Sequence, residues 1–276
     1  MNKNLHGEGF SLKLREKVWL WGLDPGADHF GGENGLAGSN RMTPMEGAYY
    51  FGTRNLLRVS RFGFPKPPLD NEAEKLSVLD RTVWSIDPTD PESVDELIRI
   101  ARYFPNIRGA LILADGEHRG MLHTRDVQLY REARARIKEK LGEDFQIWLQ
   151  ISASKIVVEA QLPYLETADV LNIWLSTPQE SMHLDTYLGQ LTQMGLENKK
   201  TVWGLYFWNF ARKQIFPPAM VGVFLNKYRE WLQAGRIEGI ALYSNTLADT
   251  KLGAAFAARD WMAAHGDDEI PGGEDA

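Results

Sequence analysis

The chain has 276 residues, with 31 Lys and Arg against 37 Asp and Glu, a formal net charge of -6, and no cysteine. The acidic balance excludes a basic nucleic-acid-binding face, and the missing thiols exclude a disulfide framework or a thiolate metal site. No apolar stretch is long enough to span a bilayer and no charged-then-apolar leader opens the chain, so the expectation is a cytoplasmic protein with no membrane partner.

Short apolar runs alternate with amphipathic segments, the pattern of parallel strands covered by helices. Strands are expected at residues 18–23, 56–60, 82–86, 109–114, 146–151, 170–175, 201–208 and 239–244. Between them the helices carry clear punctuation. Asp90 reads as a cap and Pro91 as a first-turn proline, followed by Val94, Leu97, Ile98, Ala101 and Phe104 on one face. Thr124 opens a second helix that ends at Gly142, and Pro217 with Pro218 opens a third that ends at Gly235. Residues 252–264 supply a last helix able to pack back on the first.

Eight strand–helix units in about 250 residues define a single (β/α)8 TIM barrel of the α/β class, spanning residues 1–265. A doubly wound open sheet would carry a Gly-rich first turn. The first strand is followed instead by Asp24-Pro25-Gly26-Ala27-Asp28. Residues 266–276 are acidic, Gly-rich and poor in apolar side chains, and a disordered tail is expected there.

Parallel barrels place their chemistry at the C-terminal ends of the strands. The first strand ends at Asp24; if that carboxylate faces inward, Gly22, Leu20 and Val18 do too. Arg61 follows the second strand, and the third ends at Asp87. After the fourth, Asp115 and Glu117 share parity with Gly109, Leu111 and Leu113, so both carboxylates can point over the mouth. The fifth offers Gln150 beside Trp148 and Ser152, and the sixth offers Trp174 beside Asn172 and Ser176. The seventh ends in Trp208 and Asn209, and the eighth leads to Asn245. Carboxylates for acid–base work, flat aromatic platforms and hydrogen-bonding amides together suit a small polar ring such as a sugar. Long loops after the first two strands, residues 25–42 and 62–71, are placed to act as lids.

Two stretches resemble bacterial glycoside-hydrolase-like (β/α)8 proteins. One is Leu111-Ile112-Leu113-Ala114-Asp115-Gly116-Glu117. The other is Gly204-Leu205-Tyr206-Phe207-Trp208-Asn209-Phe210, with Gly235 to Ile240 leading into Ser244-Asn245. The resemblance implies hydrolysis of a glycosidic bond in a small-molecule or oligosaccharide substrate, with no cofactor. The chain departs from the large retaining clan, which sets an Asn-Glu pair at strand four and a Glu at strand seven. Here strand four gives Asp-Gly-Glu, and strand seven ends without an acid.

On this reading Asp115 and Glu117 are the catalytic pair. Asp24, Arg61, Asp87, Gln150, Trp174, Trp208, Asn209 and Asn245 are the substrate-binding set. Residues two apart on a strand have Cα atoms about 6.5–7 Å apart, which is compatible with retention at about 5–5.5 Å or inversion at about 6.5–9.5 Å between carboxyl groups. Two alternatives stay open: a barrel that binds saccharide without cleaving it, and a lyase or metal-assisted hydrolase using the same acids. His118 and His123 lie near the acidic pair, but their spacing matches no defined zinc motif, so no metal is expected.

Overall fold

The structure, a computed structural model, describes residues 11–27, 35–36, 40–60, 64–113, 127–175, 177–210 and 212–271. Eight parallel strands close into one barrel: β1 (Val18–Gly22), β2 (Asn55–Arg58), β3 (Arg81–Ser85), β4 (Ile107–Leu113), β5 (Gln146–Ser152), β6 (Val170–Leu175), β7 (Lys200–Tyr206) and β8 (Gly239–Tyr243). Each pairs with its sequence neighbour, and β8 closes the ring on β1 through Ile240 opposite Val18. This is a TIM barrel. Every expected strand is present, with ends shifted by a few residues, because strands buried on both faces are written as unbroken apolar runs.

The outer layer contains α1 (Pro44–Phe51), α2 (Asp70–Leu76), α3 (Pro91–Tyr103), α4 (Val127–Leu141), α5 (Leu162–Thr167), α6 (Leu184–Gln193), α7 (Pro218–Gln233), α8 (Asn245–Ala248) and α9 (Gly253–His265). The capping chemistry is as read. The Asp90 carboxylate accepts from the Glu92 N–H at 3.0 Å, and Pro91 follows as the first helical residue. Gly142 and Gly235 take φ values of 95° and 65°, the left-handed geometry that ends α4 and α7. The opening expected at Thr124 lies outside the described residues. Helix α9 packs back on α1 and α7, closing the outer ring.

Two apolar layers result. Outward residues such as Leu20, Leu56, Trp84, Ile112, Leu149, Ile173 and Trp203 meet the helices. Inward residues Trp19, Trp21, Leu57, Val83, Leu111, Trp148, Trp174 and Val202 fill the barrel. Tryptophan recurs because its indole fills large volumes, and its N–H finds a partner locally. In four strands the residue two positions earlier, on the same face, accepts it. Thr82 accepts from Trp84 at 3.0 Å, Gln146 from Trp148 at 3.0 Å, Asn172 from Trp174 at 2.6 Å and Thr201 from Trp203 at 3.1 Å. A polar residue two before a tryptophan therefore leaves no indole donor unmet in these strands.

The described part of the expected tail, residues 266–271, joins the fold. Ser11–Lys13 and Glu269–Pro271 pair as a small antiparallel sheet, with Ile270 buried. Asp267 receives Lys13 at 3.0 Å and Arg15 at 2.8 Å. One buried isoleucine and these ion pairs hold a segment whose composition alone reads as unstructured. Among the described residues no helix is long and apolar enough to cross a membrane.

Candidate active site

The mouth is built from the last inward residue of each strand. On one side β6, β7, β8 and β1 deliver aromatic rings. Trp174 sits edge-on to Trp21 at 5.1 Å between centroids and against Tyr206 at 4.9 Å; Tyr206 lies 4.8 Å from Tyr243. Phe210, just past β7, closes on Tyr206 and Tyr243 at 5.8 and 5.5 Å. Trp174 is sealed at 1% exposure, whereas Tyr206, Tyr243 and Phe210 are only partly covered. Trp174 is thus the floor of the wall, and the two tyrosines with Phe210 are its accessible surface.

Gly204 makes that arrangement possible. A Cβ added there would fall 2.2 Å from the Trp174 ring, so any side chain at this position would evict the indole. The tyrosines and Phe210 were passed over as binding residues in the sequence reading. Their signal was parity: Val202, Gly204 and Tyr206 share one face of β7.

On the other side, β3, β4 and β5 bring smaller and polar groups. Ser85 is inward and 3% exposed, and its Oγ has no hydrogen-bond partner among the described residues. Gln150 is 7% exposed, in register with Leu113 on β4 and with Asn172 on β6. Asp87 is buried just beyond β3. Its Oδ1 accepts from the Thr89 N–H at 2.9 Å and the Thr89 hydroxyl at 2.7 Å, a local turn that leads to the cap of α3.

Asp24 does not face the mouth. Trp19, Trp21 and Leu23 are the inward residues of the first strand and its end, so Asp24 has the opposite parity from the expected one. It pairs with Arg58 Nη2 at 2.5 Å, and Arg58 Nε donates to Glu72 of α2. Arg58 also donates to the carbonyls of Gly22 and Val59 and is 2% exposed. Asp24 therefore neutralises a buried guanidinium rather than awaiting a ligand.

Asn245 is fully buried. Its oxygen accepts from Leu23 N–H at 2.8 Å, and its amide donates to the carbonyls of Leu23 at 2.9 Å and Met42 at 2.7 Å. It extends the β8–β1 pairing with a side-chain amide and ties the loop before α1. Asn209 is buried in a short hairpin with Gln214, and its Oδ1 accepts from the Arg212 N–H at 3.0 Å. Trp208 is 6% exposed and packs into the outer core. Each of these three makes its described contacts within the fold. Arg61, Asp115 and Glu117 lie outside the described residues. Strand β4 does bring the chain to Leu113 with Leu111 and Leu113 inward.

A cleft of about 680 Å³ opens at the opposite end of the barrel, lined by Lys138, Asp169, Lys199 and Lys200 among others. Lys138 pairs with Asp169 at 2.9 Å, and Lys199 donates to the carbonyls of Glu166 and Ala168 at 2.5 and 2.7 Å. Those cations are engaged by the fold itself, and this end of a barrel carries stability rather than chemistry. Among the described residues no cluster of three His, Asp or Glu could hold a metal.

No protein-family model and no curated protein sequence matches this chain. Solved structures do. A chitinase from Rhizomucor miehei aligns over 89% of this chain and 99% of its own, at 10% identity and a TM-score of 0.55. A fungal endo-β-N-acetylglucosaminidase of glycosyl hydrolase family 18 aligns over 89% and 97%, at 14% identity and a TM-score of 0.52. A family 18 N-acetylglucosaminidase from Paenibacillus barengoltzii aligns over 89% and 99%, at 10% identity and a TM-score of 0.51. The fold is similar to that of family 18 chitinase-like barrels, at low sequence identity.

Proposed function

We propose that this barrel is a glycoside hydrolase acting on saccharides that contain N-acetylhexosamine, with Glu117 as general acid and Asp115 beside it. The observation that carries the reading is the lopsided mouth. Partly exposed Tyr206, Tyr243 and Phe210 form a sugar-stacking wall, and the strand facing it, β4, is the one whose continuation in sequence supplies two acids in inward parity. The likeness to family 18 barrels supports the same substrate class at the level of fold, where analogy alone does not decide function.

The carboxylate inventory narrows the mechanism. Asp24 is committed to Arg58, one Asp87 oxygen is committed to Thr89, and β7 runs into Tyr206-Phe207-Trp208-Asn209 with no acid. A second carboxylate acting from across the barrel is missing from those positions. Substrate assistance, the exception known for family 18, removes the need for one. The acetamido oxygen at C2 would bond to C1 as the C1–O glycosidic bond breaks, with the Glu117 proton passing to the leaving oxygen. Asp115 would hold the acetamido N–H while positive charge develops. Water then adds to C1, releasing the acetamido oxygen and returning a proton to Glu117. An ionised Asp115 close by would hold the Glu117 proton on at neutral pH.

The test is release of reducing ends from chitooligosaccharides. Glu117→Gln should reduce turnover by about 10²- to 10⁴-fold while leaving binding in place. Full activity in that variant would remove Glu117 from the mechanism. The acid-free end of β7 also favours a second reading, a barrel that holds saccharide without cleaving it. Wild-type binding with no turnover on any acetylated substrate would select it.

A further inference from the structure

We propose that Asp249, just past α8, is a positioning residue for the mouth. It acts through Asn40 to hold the turn after β1, and with it Ala27, in place beside the tyrosine wall; this rests on the saccharide reading above. Ala27 is where that turn reaches the mouth. It is partly covered and packs, as Tyr206 and Tyr243 do, on the layer of side chains that fills the barrel. Locally the turn has the Ala27 N–H donating to the Asp24 carbonyl at 3.0 Å, and Gly26 at a φ of 84°.

Three polar side chains sew the turn to the approach to α1 and to the segment after β8. Asn40, 3% exposed, accepts from the Gly26 N–H at 2.7 Å. Asn245 holds the backbone of Leu23 and Met42. Asp249 Oδ2 accepts from the Arg41 N–H at 2.8 Å and from the Met42 N–H at 3.2 Å. Asp249 therefore fixes the two residues that follow Asn40, and Asn40 fixes the residue that precedes Ala27. Helix α1 does not need this carboxylate to start. Thr43 and Glu46 already close its first turn as a reciprocal capping box, the Thr43 N–H donating to Glu46 at 2.8 Å. Arg41 and Met42 lie before the helix, so an acceptor for their N–H groups orders the approach and not the helix.

The same connection is braced from the side of β7. Leu36 is buried in the outer core. Gly35, at a φ of 70°, lies so near Lys213 that an added Cβ would fall 3.1 Å from the Lys213 Cβ. Lys213 belongs to the hairpin whose turn carries Phe210. The segments after β1, β7 and β8 thus hold one another, and together with the end of β8 they supply Ala27, Phe210 and Tyr243. A surface shared among several segments binds tightly when their placement is set beforehand, because ordering them at binding costs affinity. The acids proposed to act follow β4, so this clasp governs binding and not the chemical step.

Two variants separate positioning from folding. Asp249→Ala removes the acceptor, whereas Asp249→Asn keeps an oxygen for both N–H groups and loses only the charge. In Asp249→Ala the KM for chitotetraose, or the Kd for a barrel that binds without cleaving, is expected to rise about tenfold. Its kcat should stay within about twofold of wild type, and its Tm should fall by no more than about 4 °C. Hydrogen exchange should quicken at the Gly26 and Ala27 amides, which bond to Asn40 and Asp24 and not to Asp249. Asp249→Asn should restore both affinity and protection. An unchanged KM, or faster exchange confined to residues 41–42, overturns the inference and leaves the saccharide reading standing. Failure of the asparagine to rescue also overturns it, since the charge and not the hydrogen bonds would be at work. A fall in kcat in step with Tm overturns it too, because Asp249 would then only stabilise the fold. A wild-type protein that neither binds nor cleaves chitotetraose overturns the saccharide reading, and this inference with it.

Discussion

Asn245 spends both amide hydrogens and its oxygen on backbone groups of Leu23 and Met42, in a position with no exposure to solvent. Truncating it strands one N–H and two carbonyls, each a desolvated group with no replacement. Asn245→Ala should cost about 3 kcal/mol in urea denaturation. Asn245→Asp should cost more, since an isosteric carboxylate would turn an oxygen toward two carbonyls. A loss below about 0.5 kcal/mol for the alanine variant would mean the brace is dispensable. The sequence reading took this residue for a ligand contact because a strand-end amide is written identically for either role. Asp24 failed for a different reason. Val18, Leu20 and Gly22 are as apolar as Trp19, Trp21 and Leu23, so alternation along a strand buried on both faces says nothing about direction. The usable clue was Arg58, whose outward parity matches that of Asp24.

At the level of strands and their packing, the β6–β7 contact holds the aromatic wall in place. Trp174 lies over Gly204 so closely that an alanine Cβ would overlap the ring at 2.2 Å. Neither residue can change alone without cost. Gly204→Ala should destabilise by about 1–3 kcal/mol through overpacking, and Trp174→Leu by about 2–4 kcal/mol through the cavity it leaves. In the double variant the new methyl occupies part of that cavity. The two costs should therefore fall short of adding by at least about 1 kcal/mol. Four denaturation curves decide it, and strict additivity would show that the ring escapes elsewhere. The strands themselves were readable because apolar runs, caps and helix-ending glycines agree with one another. The wall was not, because it depends on which residues of different strands share a level, and register between parallel strands leaves no mark within any one of them.

Across the whole molecule the two ends of the barrel divide the work. The mouth carries partly exposed rings, while at the opposite end Lys138 and Asp169 pair within the fold. Asp169 sits there as the knot between α4, β5 and β6. It receives Arg134 at 2.8 Å, Lys138 at 2.9 Å and the Ile147 N–H at 2.8 Å. Burial by itself pushes its carboxyl toward the neutral form. The hydrogen bonds from Lys138, Ile147 and Arg134 overcome that, and the net pKa lies below the usual aspartate value. A carboxyl whose folded pKa is depressed stabilises the fold above its unfolded pKa, about 3.9. That contribution is lost as pH falls below this point and through the lower folded value. Asp169→Asn should therefore lower Tm at about pH 7, and the gap from wild type should close as the pH is taken to about 2.5. Saccharide binding at the far mouth should be unchanged. A gap that stays constant across that range would mean the aspartate acts through its shape and not its charge. A loss of binding in step with Tm would mean that the two ends are not independent, and the mouth would then owe its geometry to the ion pairs beneath it.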